Sequence, residues 1–169
     1  ARRIREERLK NTFQKYVPGD VIEQALRNPT GILQGENRNL SVLFTHIGGF
    51  AGISESAGDP ADLVDQLNRY FALMVDAVTA NGGIVDKYID DAVMAIFGAP
   101  VKHEDDEMRS VLTAFAMLDA AETFNREQKK AGRPEFATSV GISYGVVTVG
   151  NIGCGKRMDY TVIGDRVNL

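Results

Sequence analysis

Apolar residues are spaced along the chain in a way that predicts short strands and two amphipathic helices. Strands are expected where apolar residues cluster, at 40–47, 84–89, 92–97, 136–142, 146–149 and 160–163. A helix is expected after Asp59-Pro60, where apolar residues recur every three or four positions up to Asn81-Gly82-Gly83. Asp90-Asp91, between the second and third strands, indicates a tight hairpin.

A second helix is expected after the acidic residues 104–107, because negative charge favours a helix N-terminus. Its predicted core-facing side consists of apolar residues, namely Met108, Val111, Leu112, Phe115, Leu118 and Phe124. Tyr144-Gly145 is interpreted as a turn between two strands. The order β-α-β-β-α-β with one extra strand predicts an α+β fold, a ferredoxin-like antiparallel sheet with its helices on one face.

The first part of the chain differs from the rest in composition. Residues 1–38 are predicted to be a helical and linker segment, with a short helix around Val21, Ile22 and Leu26, and residues 39–169 a folded domain. Residues 1–10 hold five basic and two acidic side chains, which fits a solvated basic helix as well as a linker or membrane-proximal helix. The start is expected to be the end of a helix that enters from an upstream part of a longer protein.

Composition narrows the classes of function. The 169 residues are 44% apolar and 25% charged, values typical of a globular domain. The single cysteine, Cys154, excludes an internal disulfide framework and a multi-cysteine zinc site. A net charge of −4 argues against a nucleic-acid partner, and an RNA-binding module on the same fold is disfavoured because no basic signature accompanies the strands.

Two short stretches carry candidate chemistry. Gly48-Gly49, at the end of the first strand, can turn backbone N–H groups toward an anion, although a plain strand-to-helix turn fits as well. Asp90-Asp91 can hold a divalent cation or can simply form the hairpin turn. The predicted topology places the first strand beside the hairpin, so His46 and Asp91 are expected to converge next to the glycines. That combination favours metal-assisted phosphoryl chemistry.

Several segments resemble the catalytic domain of class III nucleotidyl cyclases, in the family's order. They are LFTHIGGF at 43–50, GGIVDKYIDDAVMAIFGAP at 82–100, VGI at 140–142, VGNIG at 149–153 and YTVIGDRVNL at 160–169. The resemblance implies an adenylate cyclase domain over 39–169, which converts ATP to 3′,5′-cyclic AMP and pyrophosphate with two divalent cations (Mg²⁺ or Mn²⁺). It also implies a homodimer with its sites at the interface, acting as the signalling output of an upstream sensor or regulatory domain. A cytoplasmic location is expected, with an upstream membrane tether left open.

The resemblance also assigns roles to single residues. Metal ligands are expected to be Asp91, His46 and the backbone carbonyl of Ile47, and phosphates are expected at the N–H groups of Gly48, Gly49 and Phe50. Lys87 and Thr161, from the partner chain, correspond to the adenine-reading pair: the lysine donates to a ring nitrogen and the threonine accepts from the amino group. Asn168 corresponds to the catalytic residue that positions the ribose.

Three departures from the family pattern keep a second function open. His46 stands where the family has a metal-bridging aspartate, and imidazole nitrogen is a poor ligand for Mg²⁺. Asp90 stands where glycine is usual. The family's transition-state arginine and a phosphate-binding lysine correspond to positions after Leu169, so the domain is expected to be truncated at its C-terminus. The alternative is a catalytically impaired cyclase-homology domain that serves as a nucleotide-binding, dimerisation or regulatory module.

Overall fold

The structure, a computed structural model, describes residues 17–27, 35–154 and 157–168, so the predicted basic segment at 1–10 lies outside the described residues. Its elements in chain order are α1 (Gly19–Arg27), β1 (Glu36–Gly48), α2 (Phe50–Ser56), α3 (Pro60–Ala80), β2 (Ile84–Ile89), β3 (Ala92–Phe97), α4 (Asp106–Lys130), β4 (Ala137–Cys154), β5 (Arg157–Ile163) and a 3₁₀ turn (Asp165–Val167). Within these residues, no helix combines the length and the apolar character that crossing a membrane requires.

The strands form one antiparallel sheet with the order β2-β3-β1-β4-β5. The predicted α+β, ferredoxin-like arrangement is therefore confirmed, with β5 as the extra strand. Strand β1 lies in the middle and is paired with β3 through Leu43↔Ala95 and with β4 through Leu43↔Ile142. This pairing brings the end of β1 beside the β2–β3 hairpin, as the topology predicted.

The two faces of the sheet are packed differently. Helices α3 and α4 cover one face, in a core whose fully buried members include Leu43, Ile47, Tyr70, Met74, Phe97 and Phe136. The opposite face packs against Val21 of α1 and residues of β5, in a cluster that includes Leu40, Val42, Ile84, Ile96, Val147 and Val162.

Helix α3 forms where its local signals predicted it. The Asp59 carboxylate accepts a hydrogen bond from the N–H of Ala61 (2.9 Å) and caps the helix, with Pro60 at the first helical position. The helix ends at Ala80, and Gly82 then adopts φ +78°, a conformation that favours glycine. Gly83 lies so close to the Phe97 ring that a Cβ atom there would be 2.5 Å from a ring carbon.

The predicted core-facing side of α4 is wrong. Five of its six residues are exposed, namely Met108, Val111, Leu112, Phe115 and Leu118, whereas Phe124 is buried. The buried side instead includes Ser110 and Thr113, whose hydroxyls donate to the carbonyls of Glu107 and Arg109 (2.7 Å each). Because these hydroxyls are satisfied inside the helix, small polar residues can face the sheet and let α4 lie close to it.

The predicted turn at Tyr144-Gly145 is also wrong, since β4 is one continuous strand of 18 residues. Gly145 pairs with Leu40 of β1, and a Cβ atom there would be 3.0 Å from the Arg166 side chain. The glycine thus serves a close approach within a strand, not a turn. Two further differences concern β1, which begins at Glu36 rather than near 40, and α2, which was not anticipated.

Candidate active site

The end of β1 and the tip of the β2–β3 hairpin form a first cluster of functional side chains. The Asp91 carboxylate oxygen Oδ2 accepts the N–H of Ile47 (2.8 Å) and lies 3.0 Å from Nδ1 of His46. The Asp91 side chain is 13% exposed, whereas that of His46 is 62% exposed. The expected convergence of these residues is therefore present in a single chain, and the backbone of β1 orients the Asp91 carboxylate directly.

Two features hold the hairpin tip in this position. Asp90 adopts φ +53°, in the left-handed region that tight turns use and that aspartate tolerates better than most residues. Thr45 of β1 is fully buried, and its hydroxyl accepts the N–H of Val93 just after the tip (3.0 Å). Asp91 is thereby fixed against β1 by one bond through its side chain and one through its neighbouring backbone.

The donor set suits a divalent cation that accepts both oxygen and nitrogen ligands. Asp91 and the Ile47 carbonyl could supply oxygen and His46 an imidazole nitrogen, a mixture that Mn²⁺ tolerates better than Mg²⁺. Across residues 17–27, 35–154 and 157–168, no group of three or more His, Cys, Asp or Glu side chains is arranged to hold a metal ion. Any cation here would therefore depend on water or on substrate phosphate oxygens for its remaining ligands.

The glycine turn follows the cluster directly. Gly49 adopts φ +71° and precedes α2 without a side-chain cap, and a Cβ atom on it would meet nothing within 4 Å. The space on that side of Gly49 is open, which an anion that approaches its amide needs. The Phe50 ring packs edge-on against Phe136 (6.1 Å between centroids) and anchors the start of α2 to the core.

A second cluster joins the two residues expected to read the base. The Thr161 hydroxyl donates a hydrogen bond to Oδ2 of Asp86 (2.6 Å), and Nζ of Lys87 lies 4.0 Å from the same oxygen. The Asp86 side chain is only 2% exposed. Burial raises the pKa of the Asp86 carboxyl above its ordinary value of 3.8, the Thr161 hydroxyl and the Lys87 charge lower it, and Asp159 raises it.

This second cluster connects strands from opposite edges of the sheet. Strand β5 pairs only with residues 148–154 of β4, beyond most of the β1–β4 ladder. Val162 of β5 nevertheless packs in the same cluster as Ile84 of β2, so the β4–β5 hairpin curves over the face of the sheet that lies opposite α3 and α4. The predicted pair Lys87 and Thr161 is brought together by that curvature.

Asp86 was not predicted from the sequence, and Asn168 stands apart. A signal for Asp86 existed, since it is an acidic residue in the middle of a predicted strand, directly before Lys87. Asn168 is exposed after the 3₁₀ turn, and its backbone N–H donates to Asp165 (3.3 Å). In the described part of the chain it shares no hydrogen bond with either cluster, so its expected role stays a prediction.

Known proteins resemble this chain over most of its length. It is 33% identical over 161 residues to adenylate cyclase 1 of Rhizobium meliloti and 36% identical over 169 residues to an adenylate cyclase of Anabaena cylindrica. Each alignment covers 94% of this chain but only 24% and 32% of those relatives. The chain thus spans about a quarter to a third of the curated relatives it matches.

Solved structures show the same fold. The guanylyl cyclase Cya2 is 35% identical with a TM-score of 0.76, covering 80% of this chain and 68% of that one. The adenylyl cyclase CyaB from P. aeruginosa is 34% identical with a TM-score of 0.72, covering 80% and 70%. The sequence profile described as "Adenylate and Guanylate cyclase catalytic domain" matches residues 33–169. The chain accordingly belongs to the family of adenylate and guanylate cyclase catalytic domains.

Proposed function

We propose that this chain is an adenylate cyclase catalytic domain that converts ATP to 3′,5′-cyclic AMP and pyrophosphate. The observation that carries the proposal is the meeting of Lys87 and Thr161 at the Asp86 carboxylate. An ammonium donor beside a hydroxyl acceptor complements the ring nitrogen and the amino group of adenine. The curated relatives named above are adenylate cyclases, which supports the same substrate.

In the proposed reaction the ribose 3′-oxygen attacks the α-phosphorus. A bond forms between these two atoms as the 3′-hydroxyl loses its proton to water, the bond from the α-phosphorus to the bridging oxygen breaks, and pyrophosphate leaves. Asp91 is held in one orientation by the Ile47 N–H and faces the turn at Gly48-Gly49. The amides of Gly49 and Phe50 are suited to bind the phosphate oxygens, and Asn168 to orient the ribose.

His46, Asp91 and the Ile47 carbonyl would hold a divalent cation. The resemblance implies two such ions, and when bound they would activate the 3′-oxygen and neutralise charge on the phosphates. Only Asp91 supplies a carboxylate to this cluster, because His46 stands where the family has its second aspartate. We therefore propose that Mn²⁺ supports the reaction better than Mg²⁺.

We further propose that the active unit is a homodimer. The resemblance places Lys87 and Thr161 of one chain opposite the metal-binding residues of its partner. An upstream sensor or regulatory domain, suggested by how little of the curated relatives the chain covers, would control how the two copies meet.

One observation favours a second candidate, a nucleotide-binding module without turnover. His46 already contacts the Asp91 carboxylate, so it competes for the oxygen that a cation needs. Such a domain would bind ATP and form dimers, and it would act on its partners through conformation alone.

The test is cyclic AMP formation from ATP with Mg²⁺ and with Mn²⁺, in a protein that continues past Leu169 to the arginine and lysine positions implied by the resemblance, comparing the parent protein with His46→Asp and Asp91→Asn. We expect activity with Mn²⁺, an increase of about tenfold or more with Mg²⁺ in His46→Asp, and loss in Asp91→Asn. A parent that binds ATP yet is silent with both metals, while His46→Asp turns over, would establish the second candidate. Silence in both proteins would refute the assignment as a cyclase.

A further inference from the structure

We propose that Asp86 is a specificity-positioning residue, which fixes the Thr161 hydroxyl as a hydrogen-bond acceptor and so favours a purine carrying an amino group over one carrying a carbonyl at the same ring position. The inference rests on the proposed function, because it deepens the assignment of Lys87 and Thr161 to the base. It concerns a residue to which neither the motifs nor the resemblance gave a role.

A threonine hydroxyl alone cannot discriminate between the two purines. It has one hydrogen to donate and two lone pairs that accept, and it rotates to suit its partner. Here the hydrogen is committed, since Oγ1 of Thr161 donates to Oδ2 of Asp86 at 2.6 Å. An incoming group therefore meets the lone pairs of Thr161 and must itself donate.

The position of Asp86 in its strand holds the hydrogen bond from Thr161 in a fixed geometry. Val85 pairs with Ala95 and Lys87 pairs with Met94, so Asp86 is the extra residue of a β-bulge. Bulges re-aim a side chain and recur next to active sites. Thr161 is itself buried, in β5, where it pairs with Gly150. Neither partner of the hydrogen bond is therefore on a mobile loop.

Charge within the cluster adds to the orientation. A carboxylate is a pure acceptor when ionised; burial raises the pKa of the Asp86 carboxyl, and the Thr161 hydroxyl and the Lys87 ammonium, 4.0 Å away, oppose that shift. The same oxygen holds the Lys87 ammonium near the Thr161 hydroxyl. Lys87 can only donate and Thr161 can only accept, so the two groups present a fixed donor and acceptor pattern.

That pattern distinguishes the two purines. Adenine carries an amino group at C6, which donates, whereas guanine carries a carbonyl there, which accepts. A carbonyl oxygen facing the lone pairs of Thr161 would be left without a donor and would lose its bond to water. Removing the Asp86 carboxylate would free the Thr161 hydroxyl to rotate and to donate to the guanine carbonyl, so guanine would no longer bind less favourably than adenine on this account.

The experiment measures equilibrium binding of ATP and of GTP, in Mn²⁺, to the full chain and its variants. We expect the ratio of the two affinities to fall about tenfold in Asp86→Ala and in Asp86→Leu, equivalent to about 1.4 kcal/mol. Asp86→Leu fills the buried volume with an apolar side chain if Asp86→Ala does not fold. Asp86→Asn keeps an acceptor oxygen and should retain most of the preference.

Two comparisons separate positioning from a general loss of structure. Asn37→Ala is the matched control, because it removes the acceptor of another threonine hydroxyl, that of Thr148 (2.8 Å), at an exposed place that shares no hydrogen bond with Asp86 or Thr161. Its ATP-to-GTP ratio should equal that of the parent. In a Thr161→Val background, Asp86→Ala should change the ratio no further, because the two residues act as one unit.

The outcomes distinguish this inference from the proposed function. If the parent prefers ATP and both Asp86→Ala and Asp86→Leu keep that preference, the role of Asp86 is refuted and the adenylate assignment stands. If the parent binds the two nucleotides equally, both are refuted. A fall in the ratio that is equally large in Asp86→Asn would also overturn the inference, because the acceptor oxygen would then not matter.

Discussion

At the scale of single residues, the contact between His46 and Asp91 determines how the protein responds to metal. Asp91 is almost buried and its Oδ2 already accepts the Ile47 N–H, so a second carboxylate at position 46 would face it at close range. Like charges at such a distance disfavour the ionised pair unless a cation lies between them. Position 46 thus links metal affinity to stability.

We therefore expect the melting temperature of His46→Asp to be a few degrees below that of His46→Asn in the presence of a chelator. Added Mn²⁺ should raise the melting temperature of His46→Asp by more than that of His46→Asn. The asparagine variant is the control, because it has the same size without the charge. Thermal unfolding with and without the cation measures both effects. Equal melting temperatures of the two variants in every condition would contradict the proximity of the two side chains.

Asp86 gives a prediction about pH. Its pKa is raised in the folded chain, so the folded state binds the proton more tightly than the unfolded state. The stability contributed by this group is therefore present below its ordinary pKa of 3.8 and is lost as pH rises through the folded pKa. Relative to the parent, Asp86→Asn should become more stable between pH 3 and pH 7.

Urea unfolding of both proteins across that range measures the difference. Thr148→Val, which removes an exposed hydroxyl that donates to the Asn37 side chain, should follow the parent at every pH. A constant offset between Asp86→Asn and the parent would show that the Asp86 pKa is not shifted by folding.

At the scale of elements, α4 buries the small polar side chains of Ser110 and Thr113 beside apolar ones such as Met117, and it leaves several other large apolar side chains exposed to solvent. Met117 is fully buried, whereas Phe115 is 64% exposed. Met117→Ala should lower the free energy of unfolding by about 2–5 kcal/mol, and Phe115→Ala by less than about 0.5 kcal/mol. Chemical denaturation measures the loss of stability in each variant. A larger loss in Phe115→Ala than in Met117→Ala would show that the side of α4 expected from periodicity is the buried one.

The close contact between Gly83, just before β2, and Phe97 of β3 gives a second test at this scale. A Cβ atom on Gly83 would be 2.5 Å from the buried Phe97 ring, so Gly83→Ala should cost about 1–3 kcal/mol of stability. Gly141→Ala is the control, since nothing lies within 4 Å of a Cβ atom there. Denaturation midpoints that coincide for the two variants would contradict the close packing.

Features of the fold could be predicted from the sequence where neighbouring residues determine them, and not where they depend on distant contacts. The start of α3 was predictable because Asp59, Pro60 and the apolar spacing agree. The buried face of α4 was not, because Ser110 and Thr113 satisfy their hydroxyls within the helix and composition cannot show this. The Asp91 contact followed from topology, whereas the Asp86 contact depends on the curvature of β4 and β5, which no local pattern encodes.

At the scale of the whole molecule, the two clusters belong to different parts of the sheet. Asp91 lies against β1, and Thr161 lies on the β4–β5 hairpin that curves toward β2. Under the proposed dimer, each reaction site combines one cluster from each chain. The two clusters can therefore be inactivated separately.

We expect Asp91→Asn and Lys87→Glu to be inactive alone and to regain activity when mixed. Random pairing puts about half of the chains into mixed dimers, and each mixed dimer has one intact site out of two. The mixture can therefore reach at most about a quarter of the parent activity. Cyclic AMP formation in the mixture measures it, and mixing two preparations of Asp91→Asn is the control. A mixture that stays inactive would show that one chain supplies both clusters.

The central position of β1 also has a consequence for synthesis on the ribosome. Thr45 finds its partner Val93 48 residues later, but His46 pairs with Ser139, 93 residues later. Until β4 has emerged, one edge of an apolar strand therefore lacks its partner, although the β2–β3 hairpin can already cover the other. Pairing over such separations is slow, so the nascent chain exposes this edge to aggregation until β4 has been synthesised and has paired with β1.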